Sequence, residues 1–536
     1  MSSLTTHPSN TFGSRKVVTL KQVLSLFKPT ADRLNTDKIN PVFDFPQNLG
    51  VSERLAKRHN SDFSGPLLNG KILTYEEIMS MAKHVRLGIF GYPKIAPAST
   101  CTVGTYGDAW FRDTALQAYG LYVAGFHKEA EAKLFELALY ANSPKQRSKY
   151  AAFCLNPENA KQMYENSNTQ TNHPHIKAEI DETGSLKPLR PENEWCHAQL
   201  DAIGLWLWTT FLMANKNAID LKDFDSRLSR HVYPDGENHN SKESILTLGL
   251  KFLCHIDIPH QADRGAWEEE RQLSRTSSIA ACSAALAEGE RHFTSGKWNP
   301  KNTITFTGYD SDLFSLLNRR QECNDALGKG IPHDSNGHTR EVDNRRSDAT
   351  FTWVLSSLRR TLQWQDNTNL ALVRSLSTLF DSENRGIKRY EGDLYLASNH
   401  NHSSDGYHQD KGREGSISPW WPMFDAHLGA FYAGRFIESG GASHRHFAVA
   451  SALAKRSLAA IAIEETYSTS NGQQIYIPGG TVPEAIFYDP TDDKYRSVRH
   501  TPLFMAEAAY LQFFATYLRA LGFERDMNAS LAEVGS

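Results

Sequence analysis

The sequence has no long hydrophobic run, no closely spaced cysteines and no excess of positive charge. Because it lacks about 18 consecutive apolar residues, we expect no segment to span a membrane. Its beginning lacks the apolar core of a secretory signal, so we expect a cytoplasmic protein. The net charge is −3, with 58 basic and 61 acidic residues. This balance gives no electrostatic reason to expect a nucleic acid or a membrane as partner.

The six cysteines are scattered along the chain without a Cys-x-x-Cys pair. This spacing predicts neither a zinc site nor a disulfide framework and favours free thiols in a reducing compartment. The run Asn399–His402, together with His408, could suggest a metal site, but histidines on an irregular polar loop are more often simply polar. We therefore predict no metal and no cofactor.

Helical periodicity dominates from about residue 75 onward, and many segments are apolar around most of their circumference, as in helices packed on two sides. Alternating strand and helix signals are missing, although we expect short hairpins in loops such as Gln474–Pro478. These features predict an all-α fold of stacked helical hairpins with its site in the loops at one end. The predicted helices cover 114–126, 128–140, 198–213, 241–254, 277–288, 351–362, 370–380, 424–437, 444–463 and 501–521.

Long polar stretches separate these helices. Loops longer than about 12–15 residues are usually functional or disordered, and here they carry clusters of Trp, Arg, Asp and Glu, which favours function. Residues 1–70 are polar and rich in Pro, Asn and Ser, which interrupt regular secondary structure. We therefore expect an N-terminal extension, residues 1–70, followed by one helical domain over residues 71–536. The long polar stretches are 142–196, 294–309, 325–348, 381–420 and 467–500.

The first cluster, Tyr106–Asp113, lies immediately before a predicted helix. Arg112 and Asp113 can bind vicinal sugar hydroxyls, since the guanidinium donates and the carboxylate accepts hydrogen bonds. Trp110 and Tyr106 offer rings that stack on the apolar face of a sugar. The alternative is structural, with Asp113 or Thr114 capping the helix beside an ion pair.

The second cluster begins at Trp195, at the end of a polar loop, and runs into an apolar helix. It contains the polar residues Gln199 and Asp201, which could contact a ligand. An equally good interpretation is that one of these two side chains caps the helix.

The third cluster places Trp267 beside Glu268. An aromatic neighbour desolvates a carboxyl group and raises its pKa, so that the group holds a proton for a leaving oxygen. The alternative is an acidic first turn of a helix, which the helix dipole favours.

Two further clusters lie towards the end of the chain. Arg389 and Tyr395 precede Trp420, and Glu484 lies on a Gly/Pro turn before the last long helix. A lone glutamate on a turn is usually solvated, but hydrolysis of a glycosidic bond needs two carboxyl groups. Glu268 and Glu484 are far apart in sequence, so only a closed fold could bring them together, roughly 6.5–9.5 Å apart in an inverting enzyme.

Taken in order, these clusters resemble glycoside hydrolase family 15, the glucoamylase family. They look closer still to the glucoamylase-like domains of the phosphorylase kinase α and β regulatory subunits. The resemblance runs from about residue 75 to 525. It is carried by DAWFRDTAL, by Trp195-x3-Gln199-x-Asp201, by Trp267-Glu268-Glu269, by Arg389-Tyr390 with Tyr395 and Pro419-Trp420, and by VPEAIFYDP.

The resemblance implies an (α/α)6 barrel of six helical hairpins, with long functional loops at one end. It implies Glu268 as general acid and Glu484 as general base. The substrate-binding residues that it implies are Tyr106, Trp110, Arg112, Asp113, Trp195, Asp201, Trp267, Glu269, Arg389, Tyr395 and Trp420.

The function implied is an inverting, exo-acting α-glucoside hydrolase that releases β-glucose from the non-reducing end of a soluble α-linked gluco-oligosaccharide. The alternative is a catalytically silent, carbohydrate-sensing regulatory module like the kinase subunits, which keep several of the same motifs. Another activity of the same barrel, such as that of a trehalase or a phosphorylase, is a third interpretation. Linkage specificity would depend on the loops 142–196 and 396–418.

Overall fold

A computed structural model gives the conformation of most of the chain. It describes residues 17–26, 49–59, 61–100, 104–155, 159–165, 173–181, 184–190, 195–231, 233, 243–268, 272–273, 275–295, 309–331, 341, 345–380, 386–391, 393, 418–468, 474–489 and 493–534.

Helices account for most of the described structure, which confirms the predicted all-α class. Between α14 and α15 the chain continues as a π-helical turn over Val354–Leu358. The helices are α1 (Leu20–Ser25), α2 (Glu53–Ala56), α3 (Ser61–Leu68), α4 (Tyr75–Ala82), α5 (Phe111–Val123), α6 (His127–Ala141), α7 (Pro144–Leu155), α8 (Ala160–Glu165), α9 (Leu200–Asn215), α10 (Leu221–Ser229), α11 (Ile245–His255), α12 (Thr276–Thr294), α13 (Tyr309–Gly330), α14 (Thr350–Trp353), α15 (Arg359–Leu362), α16 (Asp366–Ser377), α17 (Pro422–Glu438), α18 (His444–Ala459) and α19 (Phe504–Val534).

The strands are short and pair antiparallel in the connections between helices. Their pairs are β1–β2, β3–β4–β5, β6–β7, β8–β9 and β10–β11. The hairpin expected near Gln474–Pro478 is confirmed as β8–β9, in which Glu465 pairs with Ile477. The strands are β1 (Val18–Thr19), β2 (Arg86–Leu87), β3 (Ala109–Trp110), β4 (Lys177–Ile180), β5 (Leu186–Lys187), β6 (Ala262–Asp263), β7 (Gln272–Leu273), β8 (Glu465–Ser468), β9 (Gln474–Ile477), β10 (Ile486–Asp489) and β11 (Lys494–Ser497).

Six helical units contact one another in a closed succession. α5 packs on α9, α9 on α12, α12 on the α14–α15 unit, that unit on α17, α17 on α19, and α19 returns to α5. Other helices lie against them, α6 on α5, α11 and α13 on α12, and α18 on α17. A helix with neighbours on both sides must be apolar over most of its surface. In α9, accordingly, nearly every side chain is buried, including Trp206 and Trp208.

Glycines allow these helices to approach closely. A Cβ atom at Gly120 of α5 would lie 2.4 Å from the carbonyl oxygen of Ala508 in α19. A Cβ atom at Gly204 of α9 would lie 2.8 Å from the backbone of Ala281 in α12. Since interiors pack at crystal-like density, the closed succession of helices requires these positions to lack a side chain.

Several helices were not predicted from the sequence. The polar stretch 142–196 contains α7 and α8, and α10 and α13 were also not predicted. Other parts of the fold cover only one side of each of these helices, and the exposed side carries polar residues. In α7, for example, Tyr150 and Phe153 are buried while Lys145 and Ser148 are exposed. Weak amphipathic periodicity of this kind is difficult to distinguish from a loop.

The predicted N-terminal extension, residues 1–70, contains α1, α2 and α3 in its described part. Leu20, Val23 and Leu24 of α1 are almost fully buried, and α1 contacts α4 and α19. Five of the six cysteines are described, and none of these five forms a disulfide bond. Within the described ranges, no helix combines the length and the apolar character needed to cross a bilayer.

We predict that Gly204→Ala destabilises the fold by about 1–3 kcal/mol, because the added methyl group meets backbone and the two helices must separate. The control is Gly70→Ala, shortly after α3, where an added Cβ atom meets nothing within 4 Å. That change should be neutral or slightly stabilising. Urea-induced unfolding measures both variants, and equal unfolding free energies would contradict the close packing of α9 on α12.

Candidate active site

The start of α5 holds the first cluster in place. Trp110 in β3 pairs with Lys177 in β4, and the helix begins at the next residue. Trp110 is itself the N-terminal cap residue and forms no side-chain capping bond, so the predicted cap at Asp113 or Thr114 is wrong. Both residues already lie inside the first helical turn. Asp113 is therefore free to accept a hydrogen bond from Nε of Arg112 at 3.1 Å.

Arg112 connects three parts of the chain. Besides Asp113 in its own helix, it donates from Nη1 to Oε1 of Gln199 at 3.3 Å and from Nη2 to Oε1 of Glu268 at 2.9 Å. Its side chain is only 8% exposed. Burial lowers the pKa of Arg112, but the carboxylates of Asp113 and Glu268 outweigh this effect and raise it above its usual value. The guanidinium is thus a permanent charge at the centre of the cluster.

Glu268 is held in an unusual backbone conformation. Its φ angle is +59°, in the left-handed region that a non-glycine residue adopts at a cost of roughly 1–3 kcal/mol. It follows a tight turn in which its N–H donates to the carbonyl of Gly265 at 3.2 Å. The alternative of an acidic first helical turn is therefore wrong, since the next helix, α12, begins only at Thr276.

The carboxyl group of Glu268 has the electrostatic setting of an acid. Burial raises its pKa, the contact with Arg112 lowers it, and the negative charge of Asp113 raises it again, with a net rise. The side chain remains 21% exposed, so it is accessible to a small molecule.

Trp267 is fixed from several sides. Its indole Nε1 donates to both carboxylate oxygens of Asp348, at 3.0 and 3.1 Å. Its ring packs against Phe424 with the centroids 5.6 Å apart. The guanidinium of Arg389 lies 5.4 Å from the ring centroid. Asp348, which carries no local motif, is fully buried and accepts a further bond from Arg345.

Arg389 is a scaffold for these rings. It donates to both oxygens of Asp393, at 2.8 and 2.7 Å, and its guanidinium also lies 5.0 Å from the ring centroid of Trp421. Its side chain is 9% exposed. A direct contact between Arg389 and a sugar stays a prediction, and the observed contacts give it the role of supporting Trp267.

Glu484 lies on the connection between β9 and β10 and is buried. The hydroxyl of Tyr106 donates to its Oε1 at 2.6 Å. Nδ1 of His500 lies 3.1 Å from its Oε2. The rings of Tyr106 and His500 stack, with centroids 3.8 Å apart and an interplanar angle of 5°. The lone glutamate of the sequence is therefore a bound, oriented carboxylate and not a solvated one.

The two predicted catalytic glutamates share a neighbour in Asp113. Burial raises the pKa of Asp113, Arg112 opposes this effect, and the negative charge of Glu484 adds to it. Asp113 in turn raises the pKa of Glu268. The fold thus brings the first, third and fifth clusters of the sequence into one electrostatic neighbourhood.

A buried lysine lies beside two of the tryptophans predicted to bind substrate. Lys177 in β4 lies 3.0 Å from Oδ2 of Asp108, and its Nζ is 5.1 and 4.7 Å from the ring centroids of Trp110 and Trp195. The two tryptophans meet edge to face, with centroids 5.3 Å apart. Sequence reasoning missed Lys177, because a basic residue in a short strand carries no motif. Burial lowers the pKa of Lys177, and the negative charges of Asp108 and Glu268 oppose this effect.

The remaining predicted residues have different placements. Trp420 is buried and packs against Tyr495, with centroids 5.2 Å apart. Asp201 is fully buried, and Gln199, not Asp201, is the cap residue of α9, without a side-chain capping bond. Glu269 and Tyr395 lie outside the described residues. Their substrate contacts remain predictions.

The polar histidine run 399–402 and His408 also lie outside the described residues. In the described part of the chain, no group of three or more His, Cys, Asp or Glu side chains is arranged to hold a metal ion.

The middle of the chain matches a known family. Residues 92–305 match the sequence model described as glycosyl hydrolases family 15. The matched region contains the sequence from Tyr106 to Glu268 but ends before Glu484. Among curated proteins, no sequence matches this chain significantly.

Solved structures share the fold. A wild-type glycosidase matches with 15% identity and a TM-score of 0.53, over 84% of this chain and 99% of that one. A glycosidase variant in complex with glucose matches with 14% identity and a TM-score of 0.53, over 84% and 99%. At these identities the similarity shows a common fold alone. A family 15 glucoamylase from Hypocrea jecorina gives 15% identity over 81% of this chain and 68% of that one, with a TM-score of only 0.45.

We predict that Asp201→Asn weakens the pH dependence of stability. Burial raises the pKa of Asp201, Arg112 opposes this, and Asp263 and Glu268 add to it. A carboxyl group whose pKa is raised by folding favours the folded state when protonated. That contribution is lost as the pH rises above its unfolded pKa of about 3.9, by about 1 kcal/mol per pH unit, until the folded pKa is passed.

The measurement is urea unfolding at about pH 5 and pH 8. The Asn variant should lose less stability than the wild type between these values. Asp223→Asn is the control, since the side chain of Asp223 is 59% exposed. The same pH dependence in the wild type and in Asp201→Asn would contradict the assignment.

Proposed function

We propose that the protein is a glycoside hydrolase in which Glu268 is the general acid and Glu484 the general base. The observation that carries this proposal is the contrast between two carboxyl groups near Asp113. Burial raises the pKa of Glu268, whereas Glu484 is bonded through both oxygens to Tyr106 and His500. Pairs of carboxyl groups in contrasting environments are the usual basis for dividing acid and base roles.

The proposed reaction is a single displacement. Glu268 gives its proton to the glycosidic oxygen as the bond from that oxygen to the anomeric carbon breaks. Glu484 takes a proton from a water molecule whose oxygen bonds to the anomeric carbon from the opposite face. The configuration at that carbon is inverted, so an α-linked substrate releases β-glucose. We expect the two carboxyl groups to lie roughly 6.5–9.5 Å apart in the complex, which leaves room for the water.

The proposed substrate is the non-reducing end of a soluble α-linked gluco-oligosaccharide. Arg112 and Asp113 supply a donor and an acceptor for sugar hydroxyls, next to Glu268. Tyr106, Trp110, Trp195 and Trp267 supply aromatic surface for the sugar rings. The glucose complex of a protein with this fold supports a sugar ligand, and the family 15 match over residues 92–305 supports hydrolysis.

We further propose an (α/α)6 barrel over residues 71–536, preceded by the extension 1–70. The support is the closed succession of six helical units from α5 to α19, with further helices lying outside it. In this arrangement the acid follows β6 and precedes α12, and the base follows β9 and precedes α19. Both carboxyl groups are thus on connections that lead into inner helices.

A silent regulatory module is the second candidate, and one observation favours it. The ion pair between Arg112 and Glu268, at 2.9 Å, stabilises the ionised form of the proposed acid. In an active enzyme, a bound sugar would draw the guanidinium towards its hydroxyls and leave Glu268 to be protonated. In a silent module, the ion pair would persist when the sugar binds.

The first test is hydrolysis of maltose, isomaltose and trehalose, with β-linked glucosides as controls. We expect at least one α-linked sugar to be cleaved. Proton NMR in the first minutes should show β-glucose before mutarotation. An α-glucose product would contradict inversion, and silence across the panel together with measurable sugar binding would favour the regulatory module.

The second test is Glu268→Gln. Removal of a general acid should lower kcat by about 10²–10⁴-fold, while the dissociation constant of the sugar changes little. Glu53→Gln, at a side chain that is 69% exposed, is the control and should behave as the wild type. Normal turnover by Glu268→Gln would show that the acid is another residue.

A further inference from the structure

Arg499 and His500, which lie shortly after β11, form a chain of contacts that ends on Glu484. Nε of Arg499 donates to Nε2 of His500 at 3.1 Å. Nδ1 of His500 lies 3.1 Å from Oε2 of Glu484. Both residues are buried, with exposed fractions of 7% and 2%. Neither was selected from the sequence.

The contact with Arg499 determines which nitrogen of the imidazole carries the proton. A guanidinium Nε–H is always a donor, because arginine does not lose its proton in proteins. Nε2 of His500 must therefore present a lone pair. The proton of the neutral ring is then on Nδ1, and it is donated to Glu484.

The same contact excludes the other tautomer. A hydrogen on Nε2 would point at the Nε–H of Arg499, so that two donors would face each other in a buried place. The ring of His500 also stacks on that of Tyr106, with centroids 3.8 Å apart. Tyr106 thus constrains the position of the ring, and Arg499 constrains its tautomer.

A neutral donor suits a base better than a cationic one. A hydrogen bond from a neutral imidazole orients the carboxylate and stabilises its charge moderately, whereas an imidazolium would form an ion pair and weaken the affinity of the carboxylate for a proton. Each oxygen of Glu484 uses one lone pair, towards Tyr106 or His500, and keeps another for water.

From these contacts we infer that Arg499 and His500 act together as positioning residues for Glu484, with Arg499 holding His500 as the neutral Nδ1–H tautomer that orients the base. This inference rests on the proposed function, because it assumes that Glu484 is the base. The inference goes beyond the proposed function because it names the two residues that orient Glu484 and fix the tautomer of its histidine partner.

The main test compares His500→Leu with His500→Asn. Leucine cannot donate to Glu484, so we expect kcat to fall roughly 10–100-fold with little change in KM. Loss of the bond removes a donor that stabilises the carboxylate, so the acidic limb of the kcat profile should move to higher pH. Asparagine can place its amide nitrogen near the position of Nδ1, and it should restore most of the rate and of the pH profile.

The control is His260→Leu. His260 also contacts a carboxylate through Nδ1, at 3.0 Å from Asp257, but its side chain is 71% exposed. This variant should leave the rate and the pH profile unchanged. Thermal unfolding of every variant shows whether the fold is intact. A merely structural role for His500 would lower stability without moving the acidic limb.

Arg499→Leu tests the tautomer directly. Without the guanidinium, Nε2 need not accept a hydrogen bond, so either ring nitrogen can carry the proton. Fewer rings then donate to Glu484, and kcat should fall, which His260→Leu should not cause. In the wild type labelled with ¹⁵N-histidine, one ring should show the neutral Nδ1–H tautomer, and His500→Leu should remove that signal.

The outcomes separate the two proposals. An active wild type whose His500→Leu variant keeps the same kcat and acidic limb would overturn the inference and leave the proposed function standing. A wild type that hydrolyses no sugar would overturn both. A His500 signal with the proton on Nε2 would overturn the tautomer, whatever the activity.

Discussion

The site depends on one buried positive charge. Arg112 lies at the start of α5 and binds Asp113 in the same helix, Gln199 at the start of α9 and Glu268 in the turn before α12. A guanidinium enclosed in this way is stable only when nearly all of its donors are satisfied. The three partners belong to three successive inner helical units. The ion pairs and the helix packing therefore reinforce each other, and neither would hold its geometry without the other.

The surroundings of Arg112 also explain how two glutamates acquire different properties. Glu268 lies beside Trp267, which Asp348 and Phe424 hold in place, and burial raises its pKa. Glu484 is bonded on both oxygens and is kept as an acceptor. The difference arises from neighbours far apart in the chain. Glu268 is buried next to Trp267, whose ring Asp348 holds in place. Glu484 instead has hydrogen-bond contacts with Tyr106 and His500.

Several supporting residues could not have been predicted because they carry no local pattern. Lys177 and Asp348 are charged residues in segments without a recognisable motif, and each acquires its role by burial against a tryptophan. His500 becomes significant only beside Glu484. Conversely, the predicted cap at Asp113 failed, because the helix begins earlier and the carboxylate is engaged by Arg112. α7 and α13 were missed since their exposed faces are polar.

The sequence by itself determined the helical class, the positions of the inner helices and the short list of aromatic and charged clusters. Those features are local, because helical periodicity and a Trp-Glu pair can be recognised within a few residues. Only the tertiary structure decided which clusters meet, since that depends on α19 returning to α5 through contacts such as that of Gly120 with Ala508. The same closure sets the charge environment of Glu268 and Glu484, because desolvation and Coulomb interactions depend on distance in space and not on separation along the chain.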